Sequence, residues 1–196
     1  AGAAYHWYSG DQYNTVSEVY TKHPDKMFIF SEGCIEGGPR NGAWFSGERY
    51  AHNIINDLNS GCSAWIDWNI VLNTKGGPNH VGNYCDAPIL IDENTHEVFY
   101  QSSYYYLGHF SRFIEPMAKR IACSVLTGMV PSAPDGRAGN LIESCAAKNP
   151  DGSITVVVCN RTEEDIPYTI KTNEKSITHS TLILPPRSIH TVVIEK

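Results

Sequence analysis

The chain has 196 residues, of which 41% are hydrophobic and 18% are charged. This composition is sufficient for one large or two small folded domains and excludes an intrinsically disordered protein. The formal net charge of −6 argues against nucleic acid or an anionic membrane surface as the main partner, and the sequence contains no apolar run of transmembrane length.

The first 70 residues alternate between predicted strands and predicted helices. Apolar and aromatic runs predict strands at 3–8, 27–31 and 62–68, and helical spacing of apolar residues predicts helices at 11–22 and 44–59. Asp11 stands where it could cap the first helix. Such alternation is typical of parallel strands joined by helical crossovers.

The pattern changes in the second half of the chain. A long loop is predicted at 69–87 and an aromatic helix at 102–113. From about Arg120 onwards, short strand-like runs separated by turn residues predict an antiparallel β-sandwich. These runs cover residues 120–127, 140–148, 153–159, 166–171, 177–184 and 188–194.

The fold class predicted from these elements is α/β followed by all-β. Residues 1–113 are expected to form the last three βα units of a (β/α)8 TIM barrel, and residues 114–196 an antiparallel β-sandwich side domain. Three parallel strands cannot close a barrel of eight. We therefore expect this chain to be the C-terminal part of a longer protein, with an open three-stranded α/β unit as the alternative.

One strand end carries a carboxylate in a suggestive position. The run from Phe28 through Phe30 is apolar, Glu32 ends it, and Gly33 follows at once. In a (β/α) barrel, side chains at the carboxyl ends of the strands converge on the catalytic mouth. A carboxylate there is a candidate nucleophile or acid for glycoside cleavage, and the alternative is a solvated carboxylate that merely ends the strand.

The other two predicted strand ends also carry polar and aromatic residues. We interpret His6 as a hydrogen-bonded histidine of the barrel and not as a metal ligand. Asp67 lies between two tryptophans, and we interpret it as a structural hydrogen-bonding partner. Trp68 fits either a core residue or a stacking platform for a sugar ring. The six cysteines form no C-x-x-C pair, so we expect reduced cysteines and neither a metal nor a cofactor.

Several motifs follow one another along nearly the whole chain. They are His6-Trp7-Tyr8, Ser31-Glu32-Gly33-Cys34, Trp65-Ile66-Asp67-Trp68-Asn69, Gly76-Gly77-Pro78-Asn79, Tyr106-Leu107-Gly108-His109-Phe110-Ser111 and Leu184-Pro185-Pro186-Arg187-Ser188-Ile189-His190-Thr191. Together they resemble glycoside hydrolase family 30, and most closely its acid β-glucosidase (glucosylceramidase) branch. Relatives in the lipid-cleaving branch carry Ala after the nucleophile where this chain has Gly33, which leaves the substrate class open.

The resemblance implies a (β/α)8 barrel fused to a β-sandwich and retaining hydrolysis of β-glucosides such as glucosylceramide. By match of motif, Glu32 is the nucleophile of a double-displacement mechanism. The resemblance also implies five substrate-binding positions: His6 and Tyr8 on the wall beside the nucleophile, Trp68 in the subsite of the cleaved sugar, and Asn83 and Tyr84 at the entrance.

Retaining cleavage needs a second carboxyl group about 5–5.5 Å from the first. The family's acid/base lies in an Asn-Glu pair after the fourth barrel strand, and Asn173-Glu174 follows no parallel strand here. The acid/base is therefore expected to precede Ala1, in the N-terminal part of the same barrel. We expect the purified 196-residue chain to be inactive alone, and measurable turnover would contradict this.

Two alternatives stay open at this point. One is a β-1,6-glucanase or another β-glycosidase of the same family. The other is a non-catalytic carbohydrate-binding module, although the predicted sandwich offers Tyr168 as its main exposed aromatic candidate. The expected partner is a β-glucoside or glycolipid substrate, not nucleic acid, and the compartment is left undetermined.

Overall fold

The computed structural model describes residues 1–126, 129–130, 139–140, 142–171 and 181–195. The chain divides into two compact units, Ala1–Leu107 and Gly108–Lys196. The predicted pair Asn173-Glu174 and the first half of the predicted strand at 177–184 lie outside the described residues. The proposed domain boundary at 113/114 stays a prediction.

The first unit begins with the strand and helix alternation that the sequence predicts. The elements are β1 (Gly2–His6), α1 (Tyr13–Lys22), β2 (Met27–Glu32), α2 (Phe45–Asn59) and β3 (Ala64–Trp65). The three strands are parallel and lie in the order β1-β2-β3. The third strand is much shorter than predicted, since only two of its residues are in the ladder.

The core of this unit is built on β2, where Phe28 and Phe30 are both buried. The Phe30 ring stacks on Trp65 of the neighbouring strand, with ring centroids 4.8 Å apart, and meets Tyr5 edge-on. Aromatic pairs of this kind stabilise beyond the area that they bury. The last residue of β2, Glu32, is therefore held by a rigid aromatic strand.

The prediction that Asp11 caps α1 is wrong. Gln12 occupies the N-cap position, and no side chain caps the helix there. The Asp11 carboxylate instead accepts a hydrogen bond of 3.0 Å from Arg49 Nη1 and lies 3.3 Å from His52 Nε2. Both partners lie on α2, which buries polar side chains as well as apolar ones. The Asp11 carboxylate therefore pairs with the buried guanidinium and does not cap the end of α1.

The predicted loop at 69–87 contains a strand that the sequence analysis missed. A second sheet consists of β4 (Val71–Asn73), β5 (Ile89–Ile91) and β6 (Val98–Tyr100) and precedes α3 (Ser102–Ser111). Strands β4 and β5 are parallel, and β5 and β6 are antiparallel. Each has only three residues, too few for a periodic pattern to stand out.

The second unit contains the predicted antiparallel strands. They are β7 (Lys119–Ile121), β8 (Met129–Val130), β9 (Gly139–Asn140), β10 (Ile142–Lys148), β11 (Ile154–Asn160), β12 (Ile166–Tyr168), β13 (Leu182–Leu184) and β14 (Ile189–Ile194). The main sheet has the order β14-β11-β10-β7, and β12 pairs with β13. The apolar core of the second unit includes Ile142, Val156, Val158 and Leu184. The sandwich prediction is confirmed, with shorter strands at several places.

Candidate active site

Glu32 lies at the carboxyl end of β2 and lines a cavity of about 200 Å³ in the first unit. The paired residue on β1 is His6, next to an irregularity in the ladder between Tyr5 and His6. The carboxyl ends of parallel strands meet at one edge of a sheet. Side chains from the ends of β1, β2 and β3 can therefore converge here.

The hydroxyl of Tyr8 donates a hydrogen bond to Oε1 of Glu32. This bond, together with partial desolvation, raises the pKa of Tyr8 to about 12. The phenol consequently stays protonated at neutral pH and remains a donor to the carboxylate. Tyr8 thus fixes one oxygen of Glu32, a residue that lines the cavity.

His6 does not line the cavity, but it supports a residue that does. Its Nε2 lies 3.1 Å from the hydroxyl oxygen of Ser31, and its ring meets the Tyr8 ring edge-on at 5.1 Å. A ring held in this way restricts the orientation of Tyr8. His6 therefore packs against Tyr8 beside the cavity but does not line it.

Trp68 presents an exposed indole to the same cavity. Its backbone N–H donates to the carbonyl oxygen of Gly33 at 3.1 Å and to Oδ1 of Asp67 at 2.8 Å. The first of these bonds ties the residue directly to the loop that follows Glu32. An exposed aromatic face, fixed beside a carboxylate, is suited to stacking against the C–H face of a sugar ring.

Asp67 is the structural partner that the sequence analysis expected. Its Oδ1 also accepts a hydrogen bond of 2.9 Å from the hydroxyl of the buried Tyr50. Burial raises the pKa of Asp67 from 3.8 to about 7, against the opposing effect of the hydrogen bonds from Tyr50 and Trp68. The carboxyl is therefore partly protonated near neutral pH.

Replacing Asp67 by Asn is expected to flatten the dependence of stability on pH. Because the folded-state pKa of Asp67 lies above its unfolded value, the neutral carboxyl stabilises the fold below about pH 4, and this contribution is lost as pH rises through about 7. Asn keeps an acceptor for Tyr50 and carries no charge. The loss of unfolding free energy between pH 4 and pH 7 should therefore be smaller in the variant than in the wild type, by at most about 4 kcal/mol.

Urea unfolding of the protein at several pH values would measure this change. The exposed Asp165 offers a matched control, since Asp165→Asn removes the same charge without changing a buried group. An Asp67→Asn profile as steep as that of the wild type would contradict the prediction.

The two residues predicted at the entrance behave differently. Asn83 lines the cavity, and its Nδ2 donates to Oε1 of Glu36 at 3.0 Å. The Tyr84 side chain is exposed and is not part of the cavity lining. Its backbone oxygen instead accepts hydrogen bonds from the N–H groups of Gly37 and Gly38, at 3.1 and 2.8 Å.

Four of the six predicted site residues thus line one cavity, namely Tyr8, Glu32, Trp68 and Asn83. Sequence reasoning missed Glu36, Cys34 and Cys85 as further lining residues. The spacing of Cys34 and Glu36, two and four residues after Glu32 in the same loop, was the available signal for the first two. Cys85 lies 51 residues from Cys34, and only the fold brings their sulfur atoms to 3.3 Å.

The absence of a side chain at Gly33 has a packing reason. A Cβ built at this position would lie 2.6 Å from Cζ of Phe30 and 3.2 Å from Cε2 of Trp7. The Phe30 ring is stacked and buried, so it cannot move aside without disturbing the aromatic core.

We expect Gly33→Ala to lower the free energy of unfolding by about 1–3 kcal/mol, as overpacked cores do. Gly108→Ala is the control, because a Cβ there meets nothing within 4 Å and Ala is the better helix former. Urea unfolding should thus show opposite signs for the two substitutions. An unchanged or raised stability of Gly33→Ala would show that the Phe30 ring can shift freely.

Comparison with known families accounts for both units of the chain. Residues 1–114 match the glycosyl hydrolase family 30 TIM-barrel domain, and residues 118–192 match the glycosyl hydrolase family 30 beta sandwich domain. The chain belongs to glycosyl hydrolase family 30. The recognition from sequence motifs and the predicted fold class are therefore confirmed.

Named relatives agree with this membership. Lysosomal acid glucosylceramidase of Mus musculus is 36% identical over 97% of this chain and 36% of its own length. Putative glucosylceramidase 3 of Caenorhabditis elegans is 34% identical over 100% of this chain and 36% of its own length. The chain thus spans little more than a third of the length of these curated relatives.

Solved structures show the same relationship. The structure of SrfJ from Salmonella typhimurium superposes with a TM-score of 0.82 and 33% identity, over 98% of this chain and 40% of that one. The endo-beta1,6-glucanase BT3312 superposes with a TM-score of 0.77 and 26% identity, over 100% of this chain and 41% of that one. Among the described residues, no helix combines the length and apolar character that a membrane span requires.

Proposed function

We propose that the protein containing this chain is a retaining β-glycosidase that hydrolyses β-glucosides, with Glu32 as its nucleophile. The observation that carries the proposal is the position of Glu32, which ends a parallel strand, faces a cavity and accepts a hydrogen bond from Tyr8. Family membership supports the reaction class.

In the proposed reaction, the Glu32 carboxylate attacks the anomeric carbon while the bond to the leaving-group oxygen breaks and the general acid protonates that oxygen. Water then hydrolyses the glycosyl-enzyme intermediate, which releases the sugar and restores the Glu32 carboxylate. The Tyr8 hydroxyl orients the carboxylate before attack and keeps its bond to Oε1. The exposed face of Trp68 stacks against the sugar ring whose glycosidic bond is cleaved. Asn83 offers a polar contact at the mouth of the cavity.

The proposal assigns the general acid to a residue outside these 196 residues. Of the described carboxylates, Glu32 and Glu36 line the cavity, and Glu36 is engaged with Asn83. The second carboxyl group of a retaining pair must approach the first within about 5–5.5 Å. Turnover by the chain alone would overturn this assignment.

A mechanism-based inactivator tests the function directly. The full-length protein would be treated with a 2-deoxy-2-fluoro β-glucosyl reagent, which traps the intermediate of a retaining enzyme, and the labelled peptide mapped by mass spectrometry. A label on Glu32 is the expected result. A label on another carboxylate would contradict the assigned nucleophile, and a folded protein that takes up neither this reagent nor its xylosyl counterpart would favour a carbohydrate-binding role.

The substrate class most in keeping with the relatives is a glucosylceramide-like β-glucoside. Relatives named glucosylceramidase reach 34–36% identity over 97–100% of the chain. The second candidate is a β-1,6-linked glucan, favoured by the endo-beta1,6-glucanase BT3312 structure at 26% identity. Comparing kcat/KM for glucosylceramide in detergent and for β-1,6-linked gluco-oligosaccharides would decide between them.

A further inference from the structure

Glu36 is a second carboxylate on the wall of the cavity that contains Glu32. It lies in the loop after β2 and is exposed, whereas Glu32 is half-buried. Its Oε1 accepts a hydrogen bond of 3.0 Å from Nδ2 of Asn83. Glu36 is therefore the more solvent-exposed of the two carboxylates.

The position of the Glu36 carboxylate is well determined by its surroundings. The backbone N–H of Asp86 donates to the oxygen of Ile35 at 2.7 Å, and Glu36 forms a β-bridge with Cys85. The backbone N–H of Asn83 donates to Oδ1 of Asn79 at 3.1 Å. Both partners of the Glu36–Asn83 hydrogen bond thus belong to backbone segments that are themselves held.

The negative charge of Glu36 acts within the cavity. The pKa of Tyr8 is raised first by its hydrogen bond to Glu32, and the charge of Glu36 adds to this rise. Of the described residues that line the cavity, none is Lys or Arg. The imidazole of His80 is the one basic side chain among the described lining residues, so no Lys or Arg faces the two carboxylates.

We propose that Glu36 is a specificity-determining residue, which disfavours glycosides whose leaving group is negatively charged and accepts neutral or cationic ones. This inference rests on the proposed glycosidase function. In this proposal, a sugar that lies against Glu32 and Trp68 directs its leaving group along the more exposed Glu36, since all three residues line one cavity. Like charges separated by several ångströms in a hydrated cavity repel enough to change kcat/KM a few-fold.

The test uses the full-length protein and two aryl β-glucosides, one with a para carboxylate and one with the corresponding methyl ester. The measured quantity is the ratio of kcat/KM for the neutral glycoside to that for the anionic one. Glu36→Gln keeps an acceptor for Asn83 and removes the charge. This variant should lower the ratio by about threefold to tenfold at low ionic strength, and the difference should shrink in high salt.

Two controls separate charge from position. Glu18→Gln removes one negative charge from the exposed face of α1 and should leave the ratio unchanged. Asn83→Ala breaks the Glu36 hydrogen bond but keeps the charge, so KM should rise for both glycosides while their ratio stays close to that of the wild type. A Glu36→Gln ratio equal to that of the wild type, in both salts, would overturn the inference. Hydrolysis of neither glycoside by the wild-type protein would overturn the proposed function and the inference with it.

Discussion

Glu32→Ala is expected to lower kcat for aryl β-glucosides by about 10⁵-fold or more, a loss typical of removing a nucleophile. Without the carboxylate, no glycosyl-enzyme intermediate can form. The substitution also removes the acceptor of the Tyr8 hydroxyl. Because Glu32 is half-buried at the end of the strand, the fold should survive the change.

Azide provides the decisive measurement. In the Glu32→Ala protein, this small anion can occupy the space of the missing carboxylate and attack the anomeric carbon from the same side. The product should be the α-glucosyl azide, whereas the proposed retaining mechanism of the wild-type protein would release β-glucose. Glu18→Gln, on the exposed face of α1, should keep wild-type kcat. Formation of the β-azide, or undiminished turnover, would remove Glu32 from the nucleophile position.

The second large effect is expected in the β-sandwich unit, at the ion pair between Glu143 and Arg161. Nη1 of Arg161 lies 2.8 Å from Oε1 of Glu143, and the two side chains are 0% and 6% exposed, respectively. Removing the carboxylate takes the charge of this ion pair away from a fully buried guanidinium. Glu143→Gln is therefore expected to lower the free energy of unfolding by about 3–5 kcal/mol.

A double variant distinguishes loss of the ion pair from simple loss of packing. The double variant Glu143→Leu with Arg161→Met replaces both charges by apolar groups and should recover most of the lost stability. The exposed pair of Arg187 and Glu163, at 3.5 Å, is the matched control. Glu163→Gln should cost less than about 1 kcal/mol. Equal losses at the two sites in urea unfolding would show that burial does not strengthen the inner pair.

The ion pair of Glu143 is a feature that sequence patterns did not predict and that the fold creates. The sequence analysis gave Glu143 no role. The structure pairs Glu143 with Arg161, 18 residues later in the chain. Glu143 lies on β10 opposite Cys159 of the neighbouring β11, and Arg161 directly follows the end of β11, which explains why a buried carboxylate is tolerated here.

Sequence patterns were enough to predict the order of the parallel strands and helices, the sandwich class of the second half and the position of Glu32 at a strand end. These features depend on short-range patterns, namely apolar runs, helical periodicity and the glycine that follows a strand. The motif resemblance added the family and a set of candidate residues. The Asp11 cap failed because a distant arginine, Arg49, competes for that carboxylate.

The set of candidate residues that share one cavity became evident only from the fold. The fold brings Asn83 beside Glu36, 47 residues earlier in the chain, and moves His6 and Tyr84 out of the lining. It also forms the second sheet, whose three-residue strands are stabilised by pairing with one another. The physical reason is common to all of these cases: each depends on contacts between segments far apart in sequence, and no local pattern encodes which segments will meet.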